Sequence, residues 1–436
     1  MKKASELLAL SFLIAFMATL YGCKKDLEPD IPDQTRKPSL TTAVVSGITI
    51  NSAKSGGNVT SDGGSEITLR GVCWSMFGPP TFYDIKTEDG ADTGSFTSNL
   101  FNLNPGTTYF VRAYAVNNAG IAYGDQTSFT TLDPPGTGTK KADFPGGARY
   151  YATGFGIGNK VYMGLGYNDG DWNVGDIWEW DQATNIWTKK KDFPGSTWGD
   201  FVGFSIGTKG YIGTGNYIDV NSSSYDFWEY DPETNGWTQK ASLPVTPARA
   251  KAVGFSIGTK GYIGIGGKWG LTSDPYYRDF WEWDQETNVW TKKADFPGNT
   301  LIAAVGFSIG NKGYIGTGSD GTSFSTDFWE WDQATNIWTK KADFGGSPRD
   351  QAVGFSIGNK GYIGTGSKGN NAVLLRDFWE WDQETDVWTQ KPDFKGNARS
   401  SAVGFSIGNK GYIGTGFGGN FIYVLQDFWE YDPSLK

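Results

Sequence analysis

Asp377-Phe378-Trp379-Glu380-Trp381-Asp382 is the stretch that decides the fold, because the chain keeps returning to it. The same order of Asp, aromatic, Trp, Glu, aromatic and Asp begins at Asp176, Asp226, Asp279, Asp327 and Asp427, with Ile177 in the first aromatic slot once. Successive copies lie 50, 53, 48, 50 and 50 residues apart. A period near 50 marks an array in which each unit is one small sheet that buries its faces only against its neighbours. Working outward from the hexamer, each unit reads as four strands, a to d. Strand a carries Gly354-Phe355-Ser356-Ile357-Gly358 and strand b Gly361-Tyr362-Ile363-Gly364-Thr365-Gly366. Strand c is the hexamer, and strand d is Val387-Trp388-Thr389-Gln390-Lys391.

In that order, Gly-rich b, aromatic c and Trp-bearing d, residues 139–436 resemble the kelch repeat. The resemblance implies an all-β fold, a six-bladed kelch-type β-propeller with four antiparallel strands per blade. The double glycine of that family stands intact only at Gly266-Gly267; elsewhere the chain has Gly-Thr-Gly, or Gly164-Leu165-Gly166. WD40 propellers have a shorter period and a Gly-His element, and this chain has no His. Strands a, b and c occur six times, but the Trp-bearing strand d occurs five times, at Trp187, Trp237, Trp290, Trp338 and Trp388. Upstream, Thr139-Lys140-Lys141-Ala142-Asp143-Phe144-Pro145-Gly146 matches Thr291 to Gly298 residue for residue. It is expected to be the sixth strand d, to pair with Asp427–Asp432 and to remove an open sheet edge. The Lys pairs of strand d, such as Lys189-Lys190 and Lys292-Lys293, fit an outermost strand whose charge blocks further pairing.

The composition narrows the chemistry. With 436 residues the chain is long enough for two or three domains. The absence of His removes Ser-His-Asp triads, Cys-His dyads and His-ligated metals. A net charge of −9 argues against a nucleic-acid partner. No cofactor, metal site or catalytic residue is assigned, and the oxygen-rich Ser319-Asp320-Gly321 loop matches no established calcium loop. Of the 19 Trp, 15 lie in strands c and d, so most of the aromatic excess is packing between sheets.

The N-terminus reads as a targeting segment. Lys2 and Lys3 precede an apolar run, Leu7 to Leu20, of signal-peptide length. It ends in Leu20-Tyr21-Gly22-Cys23, which resembles a bacterial lipobox, with 1–22 the signal peptide and Cys23 the lipidated residue. The expected location is the bacterial outer membrane, lipid-anchored, with the surface-export pattern of Bacteroidetes lipoproteins. Residues 23–39 are charged and Pro-containing and read as a tether. Residues 40–132 alternate in short runs broken by turn residues, a β-sandwich pattern. Leu103-Asn104-Pro105-Gly106-Thr107-Thr108-Tyr109 resembles the tyrosine corner of a fibronectin type III domain, a family whose members act as spacers. Cys73 is expected to be a small buried hydrophobe, and 133–138 a linker.

Positions repeated in every unit read as scaffold, including the strand-c Glu, expected to accept hydrogen bonds from neighbouring blades. Function should lie where units differ. The a–b and c–d turns are nearly constant and share one face; the d–a and b–c connections share the other and vary. Five residues before the strand-a Gly the d–a loops carry Arg149, Trp198, Arg249, Leu301, Arg349 and Arg399. Those four Arg either hold the loops by backbone hydrogen bonds or form a rim that clamps an anionic ligand group. Trp172, Trp269, Tyr276, Tyr277 and Tyr423, with Trp198, are candidate aromatic platforms for sugar rings.

These features point first to a cell-surface module that binds a glycan or protein ligand. Kelch-type propellers also include galactose oxidase, whose His ligands and Cys-linked Tyr are absent here. Six-bladed members include sialic-acid mutarotases, for which Arg149, Arg349, Arg399 and Asp200 or Asp350 are the candidates. A third reading is a scaffold subunit of an outer-membrane complex.

Overall fold

A computed structural model describes residues 35–132, 136–168, 170, 174–195, 199–215, 226–245, 249–267, 276–369, 373–418 and 424–434. The chain divides into two compact units.

The described part of the first unit comprises residues 35–47, 53–100 and 109–129. One antiparallel sheet joins Ser39–Thr42, Ala53–Ser61 and Gly94–Leu100. A second runs in the order Ile85–Lys86, Leu69–Ser75, Thr108–Asn117 and Gly120–Tyr123, with Thr127–Thr130 also against Thr108–Asn117. Alternation of inward and outward side chains buries Tyr109, Val111 and Ala113, whereas Gly71 to Trp74 are buried on both faces. Tyr109 is buried with its ring stacked on Phe129 at 5.7 Å. Cys73 is fully buried, and that burial pushes its thiol up to about 11.

The second unit is a succession of four-stranded antiparallel sheets. The sheet around the quoted hexamer runs Val353–Ile357, Lys360–Gly364, Phe378–Asp382, Val387–Lys391 in order a, b, c, d. Its register pairs Tyr362 with Glu380 and Trp381 with Trp388. The same order holds in five sheets. The sheet of Val403–Ile407, Lys410–Gly414 and Phe428–Tyr431 takes its outermost strand from Thr139–Lys140. There Trp429 opposes Lys140 and Glu430 opposes Thr139, and Lys141 Nζ adds an ion pair to Glu430 at 3.2 Å. This repeated architecture is consistent with a β-propeller.

The period-2 alternation of strand c puts Phe on one face and the second aromatic on the other. Neighbouring sheets interlock through that pair: Phe280 meets Trp331 at 5.1 Å, Phe328 meets Trp381 at 5.0 Å, and Phe428 meets Trp180 at 5.0 Å, each edge-on. The innermost strands leave no room for a side chain at the strand-a Gly. A Cβ on Gly354 would lie 2.7 Å from Val305 of the preceding sheet.

The strand-c Glu are structural, but their principal partner lies in their own sheet rather than a neighbouring one. Tyr362 Oη donates to Glu380 at 2.8 Å, and the other five copies repeat that bond at 2.6 to 2.9 Å. The second Lys of strand d turns inward to the same carboxylates, as Lys190 to Glu179 at 3.0 Å and Lys293 to Glu282 at 3.1 Å. Contact between sheets runs instead from the residue after strand c. Gln383 Nε2 donates to Tyr314 Oη at 2.6 Å, and Gln182 Nε2 to Tyr412 Oη at 2.6 Å.

Candidate functional site

The four repeated arginines come first: of their two readings the structure has the loop-holding one, with Arg349 Nε donating to Ser347 O at 3.0 Å and Arg399 Nε to Asn397 O at 3.1 Å, and not the ligand-facing rim. Arg149, Arg249, Arg349 and Arg399 are buried to 1% exposure or less. Each guanidinium pairs with the Asp that opens strand c. Arg349 reaches Asp377 through two bonds of 2.7 and 2.6 Å, and Arg399 reaches Asp427 through two of 2.7 Å. Arg149 binds Asp176 at 2.5 and 3.1 Å, and Arg249 binds Asp279 at 2.5 Å. A further bond reaches the carbonyl of the residue between the strand-b glycines: Leu165, Ile265, Thr365 or Thr415, at 2.9 to 3.1 Å. Those residues hold left-handed φ of 50 to 61°, a conformation that β-branched side chains avoid. The Arg therefore closes a strained corner against strand c, with no face left for a ligand.

The exceptions follow the same logic. Where Leu301 replaces Arg, Asp327 takes Lys340 of strand d at 3.0 Å. In the unit with Trp198, Asp226 accepts from Gln239 at 3.2 Å. Burial opposes ionisation of Asp279, Asp377 and Asp427, yet their arginines outweigh it and hold all three below the usual carboxylate range.

Of the aromatic candidates, Trp172, Trp198, Trp269 and Tyr423 lie outside the described residues, as does Cys23. Tyr277 is a packing residue. Its ring lies 5.1 Å from the Arg249 guanidinium, in the unit where Leu243 stands in place of the Phe found under Arg149, Arg349 and Arg399. Tyr276 is half-buried and pairs through its backbone with Gly267.

The variable position that the loops bring together lies two residues after the Arg. It carries Tyr151, Asp200, Lys251, Ala303, Gln351 and Ser401, a different residue in each unit. All six have left-handed φ, 53, 67, 53, 53, 54 and 54°. This conformation costs non-glycine residues about 1–2 kcal/mol each. Four backbone bonds between adjacent sheets help to offset that strain. Tyr151 N donates to Ser401 O at 3.0 Å, Ala303 N to Lys251 O at 3.1 Å, Gln351 N to Ala303 O at 2.9 Å, and Ser401 N to Gln351 O at 3.0 Å. The six residues and those that follow them (five Ala and Phe201) line one cavity of about 160 Å³.

Its chemistry is polar and ordered. Gln351 Oε1 accepts from Tyr151 Oη at 3.1 Å and from Ser401 Oγ, while Gln351 Nε2 donates to Asp350 at 3.3 Å. Ser367 Oγ holds the other Asp350 oxygen at 2.6 Å, so the amide orientation is set from both ends. Lys251 Nζ lies 5.1 Å from the centre of the Tyr151 ring. Burial pushes Asp200 up to about 6 against the opposing pull of Lys251. Burial disfavours the Lys251 charge, but Tyr151 and Asp200 outweigh it and raise its pKa above the ordinary lysine value. Burial likewise raises Tyr151, which stays a neutral phenol at neutral pH. The cavity thus presents an ammonium, a carboxyl that titrates near 6, a phenol, an amide and a hydroxyl above small apolar side chains.

Sequence reasoning had reached Asp200 and Asp350 only as enzyme candidates and had missed Tyr151, Lys251, Gln351 and Ser401. The signal was available: three residues before the strand-a Gly, no two units agree. Among the described residues no cluster of three or more His, Cys, Asp or Glu is placed to hold a metal ion.

No family model matches the chain, and no curated protein matches it. Solved structures do. YjhT aligns with a TM-score of 0.58 at 18% identity, covering 68% of this chain and 98% of its own. That likeness shows a shared fold of repeated four-stranded sheets.

Proposed function

We propose that this chain is a surface binding protein whose six-bladed kelch-type propeller takes a carbohydrate group in its central mouth. The observation that carries the reading is the set Tyr151, Asp200, Lys251, Ala303, Gln351 and Ser401. One loop position, in repeats that otherwise nearly coincide, delivers six different side chains into a single cavity. Rigid repeats below and diversified side chains above are the arrangement of a recognition surface. The donors and acceptors are mixed rather than of one charge, which suits hydroxyl-rich ligands, and the Tyr151 ring and Phe201 offer faces for C–H groups. A cavity of about 160 Å³ lies below the roughly 300–1,000 Å³ of drug-sized sites, so it admits one ring or a terminal group.

The remainder of the proposal is architectural. A lipid on Cys23 holds the protein at the outer membrane, residues 23–39 act as tether, and a fibronectin type III-like domain precedes the propeller. Incorporation of labelled fatty acid that is lost in Cys23→Ser tests the anchor. A glycan array probed with the purified ectodomain tests the binding. The expected result is selective binding that Lys251→Ala removes; silence across neutral and acidic glycans would turn the reading toward a protein ligand.

A second reading, acid–base chemistry of the kind a sialic-acid mutarotase performs, is favoured by one observation. Asp200, near neutrality in its titration, and Lys251 line the same cavity. Arg149, Arg349 and Arg399 drop out of it, since each is committed to an Asp. NMR of sialic-acid anomer exchange decides it, and a rate equal to buffer ends it.

A further inference from the structure

The first unit carries two large aromatic side chains that its core does not use. Phe77 is 83% exposed and Tyr83 89% exposed, both in the loop 76–84 between Leu69–Ser75 and Ile85–Lys86. Exposed rings on a loose loop would mean little, but this loop is held at several points. Phe77 N donates to Ser75 Oγ at 3.1 Å. Arg112 Nε donates to the Pro80 carbonyl, and Phe82 N donates to Tyr123 Oη at 2.9 Å. Asp84 Oδ2 accepts from both Thr81 N at 2.6 Å and Thr81 Oγ1 at 2.8 Å. Phe82 anchors the loop with its ring edge-on to Tyr114 at 5.2 Å and Lys86 Nζ 4.7 Å from its centre. Tyr83 in turn stands edge-on to Phe82 at 5.9 Å. The rings are therefore presented to solvent by a fixed backbone frame, and little backbone entropy remains to be lost when they engage a ligand.

We propose that the Phe77–Tyr83 loop is a second carbohydrate-binding site, one that stacks the C–H faces of pyranose rings along a polysaccharide. The apolar surface is divided: Gly78, Thr81 and the exposed Asp84 interrupt it, and the Thr81 bonds hold Asp84 through Oδ2. A protein-docking hot spot is closed and fully desolvated at its centre. Exposed rings on a loop that also carries the exposed Asp84 match instead a ligand that alternates apolar faces with hydroxyl donors, and the electron-rich ring faces attract its C–H groups. The site lies wholly within the first unit and is independent of the propeller mouth.

Affinity electrophoresis of the full chain tests it, in native gels that each contain hydroxyethylcellulose, xyloglucan, xylan or galactomannan. The expected result is retardation in at least one gel, with binding about tenfold weaker in Phe77→Ala or Tyr83→Ala and lost in the double variant. Lys251→Ala should be retarded like the wild type. Both rings are exposed, so the melting curves of the variants should match the wild type. Wild-type mobility unchanged in all four gels would overturn the proposal, and so would retardation that survives the double variant. Retardation lost only with Lys251→Ala would overturn it as well, by assigning the binding to the mouth.

Discussion

The Arg349 guanidinium grips the Asp377 carboxylate with two bonds of 2.7 and 2.6 Å while wholly shielded from solvent. One partner cannot be removed without stranding the other. Arg349→Leu should cost about 3–5 kcal/mol in denaturant unfolding, the range for breaking a buried ion pair. Adding Asp377→Asn should recover a substantial part, because the uncompensated charge is gone. Equal losses in the single and double variants would contradict the pairing as the source of the effect.

The same pairs set a sign for acid unfolding. Asp279, Asp377 and Asp427 have depressed folded values, so their contribution is complete above the unfolded value near 4 and is lost as pH falls through the folded ones. Stability measured from pH 6 down to 2 should drop more gently in Arg349→Leu/Asp377→Asn than in the wild type. Parallel curves would speak against it.

Asp200 has the opposite sign. Its folded value, about 6, is raised by burial, so its ionisation above that pH weighs against the folded state. Lys251 is the opposing influence, and Lys251→Met should push the Asp200 value higher still. Carboxyl ¹³C NMR across pH 4–9 reads this directly; an Asp200 value that falls or stays in place would show that Lys251 does not act on it.

Thr139–Lys140 supplies the outermost strand beside Phe428–Tyr431. Deleting 139–145 leaves that sheet with three strands and removes the Lys141–Glu430 pair and the bond from Trp187 to Ala142, 2.9 Å long. Calorimetry should show one cooperative transition of the second unit moved to lower temperature. A transition at the wild-type temperature would mean that the closing strand contributes nothing.

How much of this was legible depended on what the chain repeats. The hexamer around Trp379 and the aromatic b and d strands recur because each sheet needs the same packing, so a period near 50 exposed them. The arginines left two readings open because Trp198 and Leu301 break the series and made the position look diversified for a ligand. The invariant member of the pair is the Asp, and at Asp327 the cation comes from Lys340, 13 residues along the chain rather than from the d–a loop. The divergence of the mouth position was visible in the repeats, but where its side chains point was not, for a conformational reason. A left-handed φ at Tyr151 or Gln351 reverses the side-chain direction expected of an extended approach to strand a. No composition or spacing announces that choice in a non-glycine residue. The Phe77–Tyr83 loop escaped because a spacer reading of its domain assigned it no role.

The most direct test of the mouth as a ligand site is the calorimetric affinity of the purified protein for its best array glycan, wild type against Lys251→Ala, with both melting curves recorded. The mouth reading predicts at least about tenfold weaker binding with the wild-type fold retained. Equal affinity in the two proteins would contradict it.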